Sequence, residues 1–171
     1  KYSVLIDYYD QVYRIIGAIN EFEEEVLITK NEGQFQTLIG EAHALRAFCY
    51  MYLAQTWGKV PLRDVGETLI NIENKEYPAD EEEVWAYIID NLSSAADFLS
   101  WQPRDGINGR PTKGMALSYL GEAYLWRAYL ARQKGEDDIP FVNKAREALG
   151  KVIDSGTYKL EPCYSNLWDG D

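Results

Sequence analysis

The sequence predicts an all-α fold of stacked helical hairpins, and three observations carry that prediction. Apolar residues keep a helical period through most of the 171 residues. Alternating apolar and polar runs, the mark of half-buried strands, are absent apart from a brief "YKL" at 158–160. One spacing of large and small side chains also occurs twice, each time followed by a matching second helix.

The elements follow in order. Val12, Ile16 and Ile19 place a first helix at about 5–28. Gly33 is expected to join it to a second, along which Leu38, Ala42, Leu45, Cys49, Tyr52 and Thr56 step by four and three. That helix ends near Trp57 at "GKVPL", and a long connection runs from Gly58 to Ala79. Asp80 followed by Glu83 has the spacing of a capping box, and Glu81, Glu82 and Glu83 suit the positive end of a helix dipole. This acidic run therefore reads as a helix start rather than a metal site, and the helix carries Val84, Ile88, Leu92, Ala95 and Leu99. Thr112 is the expected N-cap of the helix in "KGMALSYLGEAYLWRAYLARQ". After a connection from Lys134 to Ile139, Pro140 suits the first turn of a last helix, and Gly156 suits a left-handed residue just past its end.

Leu45, Phe48, Cys49 and Tyr52 stand at offsets 0, 3, 4 and 7, and Leu117, Leu120, Gly121 and Tyr124 repeat them. This is the spacing of the first helix of a tetratricopeptide repeat. The small residue lets the second helix approach while the large ones fill the groove beside it. Ile88, Leu92 and Ala95 share offsets 0, 4 and 7 with Ala145, Leu149 and Val152, as paired second helices require. The expected organisation is a single helical-repeat portion over 1–171, with hairpins at about 35–101 and 112–156. A repeat helix packs on its hairpin partner and on the neighbouring repeat, which explains why residues 41–62 have almost no wholly polar face.

Composition bounds the function. At 46% hydrophobic and 13% aromatic the chain is globular in character. Its net charge of −11, with no Lys/Arg cluster, argues against nucleic acid and against anionic membrane surfaces. No apolar run approaches the roughly 18 residues that span a bilayer. Cys49 and Cys163 are isolated, without ligands at metal spacing, and both read as small buried hydrophobes. The chain begins inside a helical pattern and ends at "LWDGD" without a clear finish, as expected of a segment of something longer.

Several ordered stretches together point to one family. "EAHALRAFCYMYLAQTWGKVPL" resembles the pattern Glu-Ala-basic-x-Leu-Arg-Ala-Phe-x-Tyr, followed by aromatic-Gly-x-Val-Pro-Leu, of the SusD/RagB-like outer-membrane nutrient-binding lipoproteins. Glu41, Ala42, Leu45, Arg46, Ala47, Phe48, Tyr50, Gly58, Val60, Pro61 and Leu62 hold those positions. "VYRIIGAINEFEE" is similar to the family's Tyr-x-x-Ile-x-x-x-Asn helix, "EEVWAYIIDNLSSAADFL" to its Asp-x-Leu-x-x-Ala helix, "GRPTKGMALSYLGEAYL" to its Arg-x-Thr-Lys signature, and "VIDSGTYKL" to its Val-Ile-x-Ser-Gly-x-Tyr-x-Leu ending. Departures are small: His43 stands where Arg or Lys is usual, and Asn91 lies beside Asp90 where an Asp-Leu pair is usual.

The resemblance implies a surface-exposed, lipid-anchored protein of the cell outer membrane, of Bacteroidetes type. Such a protein captures an oligosaccharide or polysaccharide and passes it, without breaking bonds, to a SusC-like TonB-dependent transporter. It implies no cofactor and no metal, an anchoring cysteine upstream of this chain, and a ligand site built largely by loops outside it. Within the chain, aromatic faces that stack on sugar rings are sought in loops, and Trp101 in "SWQPRDG" and Tyr77 in "NKEYPAD" are the candidate ligand-binding residues. Trp57, Trp85 and Trp126 read as core, and Trp168 as packing the C-terminal segment onto the repeats.

No catalytic residue is expected. His43 lies mid-helix without a nucleophile motif and reads as a solvated or hydrogen-bonded helix histidine. Glu41, Asp90, Asp97 and Glu122 are the carboxylates an all-helical glycoside hydrolase would draw on, but ion pairs of Glu41 with Arg46 and of Glu122 with Arg127 account for two of them. The other rival is an intracellular tetratricopeptide adaptor. It would project Lys, Arg and Asn from the first helices, where this chain shows Tyr, Ala and Leu with Arg46 nearly alone.

Overall fold

The computed structural model describes residues 3–29, 32–66 and 79–168. Among them are five α-helices: α1 (Ser3–Thr29), α2 (Glu32–Trp57), α3 (Glu81–Phe98), α4 (Lys113–Lys134) and α5 (Ile139–Asp154), with short 3-10 turns at Arg104–Gly106 and Tyr164–Leu167. No strand occurs among the described residues, and Tyr158–Leu160 is irregular. Each helix packs chiefly on its neighbours in the chain, α1 on α2, α2 on α3, α3 on α4 and α4 on α5, with a lighter contact between α2 and α4. This is the tetratricopeptide-like arrangement that the repeated spacing predicts.

Local chemistry sets the helix ends. The Asp80 N–H donates to the Glu83 carboxylate at 3.0 Å, closing one half of the capping box before α3. The Thr112 hydroxyl accepts the Met115 N–H at 3.2 Å, so α4 starts where its N-cap predicts. Gly135 and Gly156 take φ of 74° and 63°, the left-handed conformation that lets the chain leave α4 and α5. The first break falls elsewhere than expected. Because α2 opens at Glu32, Gly33 lies inside its first turn rather than between the helices.

α2 is the central element, and Ala44, Ala47, Tyr50, Met51, Leu53 and Ala54 bury much of its circumference. Trp85, Ile88 and Leu92 of α3 are fully buried, and the Trp85 indole stacks on Trp126 of α4 at 5.3 Å and 10°. Trp57 and Trp126 are partly buried against the same core. The small position of the second hairpin works as its spacing predicts. A Cβ on Gly121 would lie 2.6 Å from Leu149 Cγ, closer than carbons approach. Gly121→Ala is therefore expected to force α4 and α5 apart and cost about 1–3 kcal/mol, read as a lowered thermal midpoint.

Three expectations are corrected. Leu45 and Tyr52 are 42% and 46% exposed, whereas their counterparts Leu117 and Tyr124 are buried and half-buried. The spacing recurs but the surroundings do not, because the Leu45 edge of α2 faces outward. Trp168 is 72% exposed and meets Tyr164 edge-on at 6.0 Å, so it does not anchor the C-terminal segment in the core. Cys163 is exposed; only Cys49 is the buried small hydrophobe, and burial raises its thiol pKa to about 11.

Candidate functional site

The segment that follows α2 is fixed by side chains from three helices. The Tyr13 hydroxyl of α1 donates to the Pro61 carbonyl at 2.6 Å, and the Asn20 amide donates to the Arg63 carbonyl at 3.2 Å. Tyr50 of α2 accepts the Arg63 N–H at 2.6 Å. The Tyr87 hydroxyl of α3 lies 3.3 Å from an Asp64 carboxylate oxygen. Burial pushes Tyr13 and Tyr87 up, Tyr87 to about 12, so both remain hydroxyl donors across the physiological range. The Val60 side chain is buried beneath the segment. Tyr13, Asn20, Tyr50, Val60 and Pro61, which carry much of the sequence pattern, thus share one physical task, holding this loop against α1, α2 and α3.

Beside it lies a buried polar cluster. Arg46, 2% exposed, forks between the Glu23 carboxylate of α1 and the Asn91 carbonyl oxygen of α3, the latter at 3.1 Å. His43 bridges Glu23 through Nε2 and Ser94 through Nδ1, both at 2.9 Å. A carboxylate only accepts, so Nε2 carries the hydrogen, and in the neutral ring Nδ1 accepts from the Ser94 hydroxyl. Burial by itself raises the Glu23 pKa, but the hydrogen bonds from His43 and Arg46 and the Arg46 charge outweigh it and hold the carboxyl at about 2. Because the folded pKa lies below the ordinary value of 4.5, this pairing stabilises the fold above that pH. The contribution is expected to fade as pH falls from about 4.5 to about 2, and Glu23→Gln to flatten the acid limb of a melting-temperature profile.

The connection between α3 and α4 holds the sequence candidate Trp101. Its indole is half-buried against the core, and its carbonyl lies 3.5 Å from the Tyr158 hydroxyl. Tyr77 lies outside the described residues. The connection is tied down by Glu41, whose two oxygens take Arg104 at 3.2 Å and Arg110 at 3.1 Å. Asp105 in the turn has φ of 58°, a left-handed strain that Asp tolerates better than most residues.

The predicted ion pairs are thereby replaced. Glu41 pairs with Arg104 and Arg110 rather than Arg46, and Glu122 accepts from Gln55 at 2.9 Å rather than pairing with Arg127. Arg127 pairs with Glu82 at 3.4 Å. Both predicted pairs had i,i+5 spacing, which turns the two side chains about 140° apart around a helix. Asp90 and Asp97 are exposed on α3. No group of acidic, His or Cys side chains able to hold a metal occurs among the described residues, and no described helix is long and apolar enough to cross a membrane.

Stacked hairpins, a segment clamped after α2 and an α3–α4 connection tied by Glu41 define the class: a tetratricopeptide-like helical protein. Residues 2–125 match the SusD-like family, described as starch-binding and associating with the outer membrane, and the chain belongs to that family. It is 29% identical over 168 residues to SusD-like protein P2 of Formosa agariphila, covering 96% of this chain and 30% of that one. A structure solved with a xylogluco-oligosaccharide superposes with a TM-score of 0.78 at 26% identity, over 94% of this chain and 31% of the other. A laminarin-binding SusD-like protein superposes at 0.72, also at 26% identity, over 94% of this chain and 34% of its own. The chain thus spans about 30% of the length of the curated relative it matches.

Proposed function

We propose that this chain is the helical-repeat portion, residues 1–171, of a glycan-binding protein that captures oligosaccharide at the outer membrane. The protein serves as the carrier component of a nutrient-uptake system, handing its ligand to a SusC-like TonB-dependent transporter. It is anchored to the cell surface through lipid and breaks no bonds. The likeness at 26% identity to one protein solved with a xylogluco-oligosaccharide and another named for laminarin carries the reading. The chemistry of the helices supports it. Glu41, a buried carboxylate on α2, has both oxygens engaged by guanidinium groups, and the only histidine is engaged on both ring nitrogens. Neither is disposed as a general acid or base.

Trp101 is proposed as a ligand contact through the part of its ring that the core leaves open, and Tyr77 as a second. Titration calorimetry of the full-length protein with xylogluco- and laminari-oligosaccharides tests the reading. Binding without release of new reducing ends is expected, and Trp101→Ala is expected to weaken it about tenfold, the order of one lost stacking contact plus its ordering. Release of reducing ends would transfer the assignment to a hydrolase.

A further inference from the structure

Between α1 and the loop after α2 lies a cavity of about 290 Å³, and two features of its wall go unexplained by packing. Asn20 is only 9% exposed; its amide donates to the Arg63 carbonyl, but its Oδ1 is buried with no hydrogen-bond partner. An orphaned buried acceptor costs about 1–3 kcal/mol. Gly17, in the middle of α1, would meet nothing within 4 Å if it carried a Cβ. A mid-helix glycine costs about 1 kcal/mol against alanine. Gly40 and Gly121 have a reason to be glycine, since a Cβ there would lie 2.9 Å from Phe98 Cβ and 2.6 Å from Leu149 Cγ respectively. Gly150 of α5 is as open as Gly17, but α5 carries no orphaned buried side-chain atom among the described residues. At Gly17 and Asn20 the two costs fall on one cavity.

Glu21, Glu24 and Asp64 share the lining with Arg63. Three carboxylates and an orphaned amide oxygen accept hydrogen bonds, and one guanidinium donates. Sugar hydroxyls, which do both, complement such a wall, while the excess negative charge repels uronic or sulfated sugars. The loop side is already fixed by Tyr13, Asn20 and Tyr50, so little ordering opposes binding.

We propose that this cavity is a subsite for one neutral sugar residue, with Gly17 leaving room for the ring and a small turn of the Asn20 amide bringing its buried Oδ1 to a sugar hydroxyl. The proposal rests on the glycan-binding reading above. Hydrogen exchange of the full-length protein, with and without laminari- and xylogluco-oligosaccharides, tests it. Ligand is expected to slow exchange at residues 13–24 and 58–66. Affinity is expected to fall progressively through Gly17→Ala, Gly17→Leu and Gly17→Phe, by about tenfold or more at the last, while the thermal midpoint holds or rises because the helix gains a better former. Glu24→Ala, on the exposed rim, is expected to weaken binding about threefold. Glycan binding with no protection at these two segments, or with unchanged affinity in folded Gly17→Phe, overturns the subsite and leaves the functional reading intact. A wild-type protein that binds none of these glycans overturns both.

Discussion

Arg46→Ala is expected to cost about 3–5 kcal/mol, the range for leaving one partner of a buried pair uncompensated. The side chain is 2% exposed and touches both neighbouring helices, Glu23 on α1 and the Asn91 carbonyl oxygen on α3. Its removal leaves Glu23 with His43 alone and strands the Asn91 oxygen. For a chain of this size the loss corresponds to a fall in thermal midpoint on the order of 10 °C. The charge and the packing can be separated. Arg46→Met restores volume without the charge, so adding Glu23→Gln to it is expected to recover part of the loss, which a double-mutant cycle reads directly. An Arg46→Ala midpoint within about 2 °C of wild type would mean the cluster contributes nothing to the docking of α1.

Trp85→Ala is expected to be of the same order, about 3–5 kcal/mol, for a different reason. The ring is fully buried in α3 and stacks on Trp126 of α4, so it ties the first hairpin to the second. Its indole N–H is buried without a partner. Trp85→Phe therefore removes an unsatisfied donor as well as ring area, and is expected to cost less than half of what alanine costs. Chemical denaturation of the three proteins checks the ranking, and an alanine variant no worse than phenylalanine would contradict the role given to the stack.

What could be read from the sequence and what could not divide along a physical line. Helix existence, the capping pair Asp80 and Glu83, the Thr112 cap and the glycine after α5 depend on residues a few positions apart, and each lies where local chemistry predicts. Gly121 was legible because a small residue between large ones at helical spacing has one use, close approach. The partners of Glu41 were not legible. Arg104 and Arg110 lie 63 and 69 residues away, and only the folded path of the α3–α4 connection brings them in. The same holds for Arg46, which spacing alone paired with Glu41 and which the fold gives to Glu23, 23 residues upstream. Exposure was the weakest inference. Leu45, Tyr52 and Trp168 have the residue types of a core, and their surroundings depend on which helix faces are covered. The loop-fixing roles of Tyr13, Asn20 and Tyr50 were visible only as pattern, since hydroxyl and amide groups on separate helices converge on the Pro61 and Arg63 peptides through tertiary structure.

These helices are a frame whose charged and aromatic interior is occupied by structural tasks, and the proposed ligand contacts of this chain fall on its connections and on the cavity beside the segment after α2. A crystal structure of the full-length protein soaked with an oligosaccharide it binds tests that claim most directly. The expected result is an intact glycan, with α1 to α5 arranged as described, Arg46 still on Glu23, and any sugar contacts made by this chain confined to its connections and the α1 cavity. A glycan lying across α2 and α4 with its scissile bond between two carboxylates, or found cleaved, would contradict it.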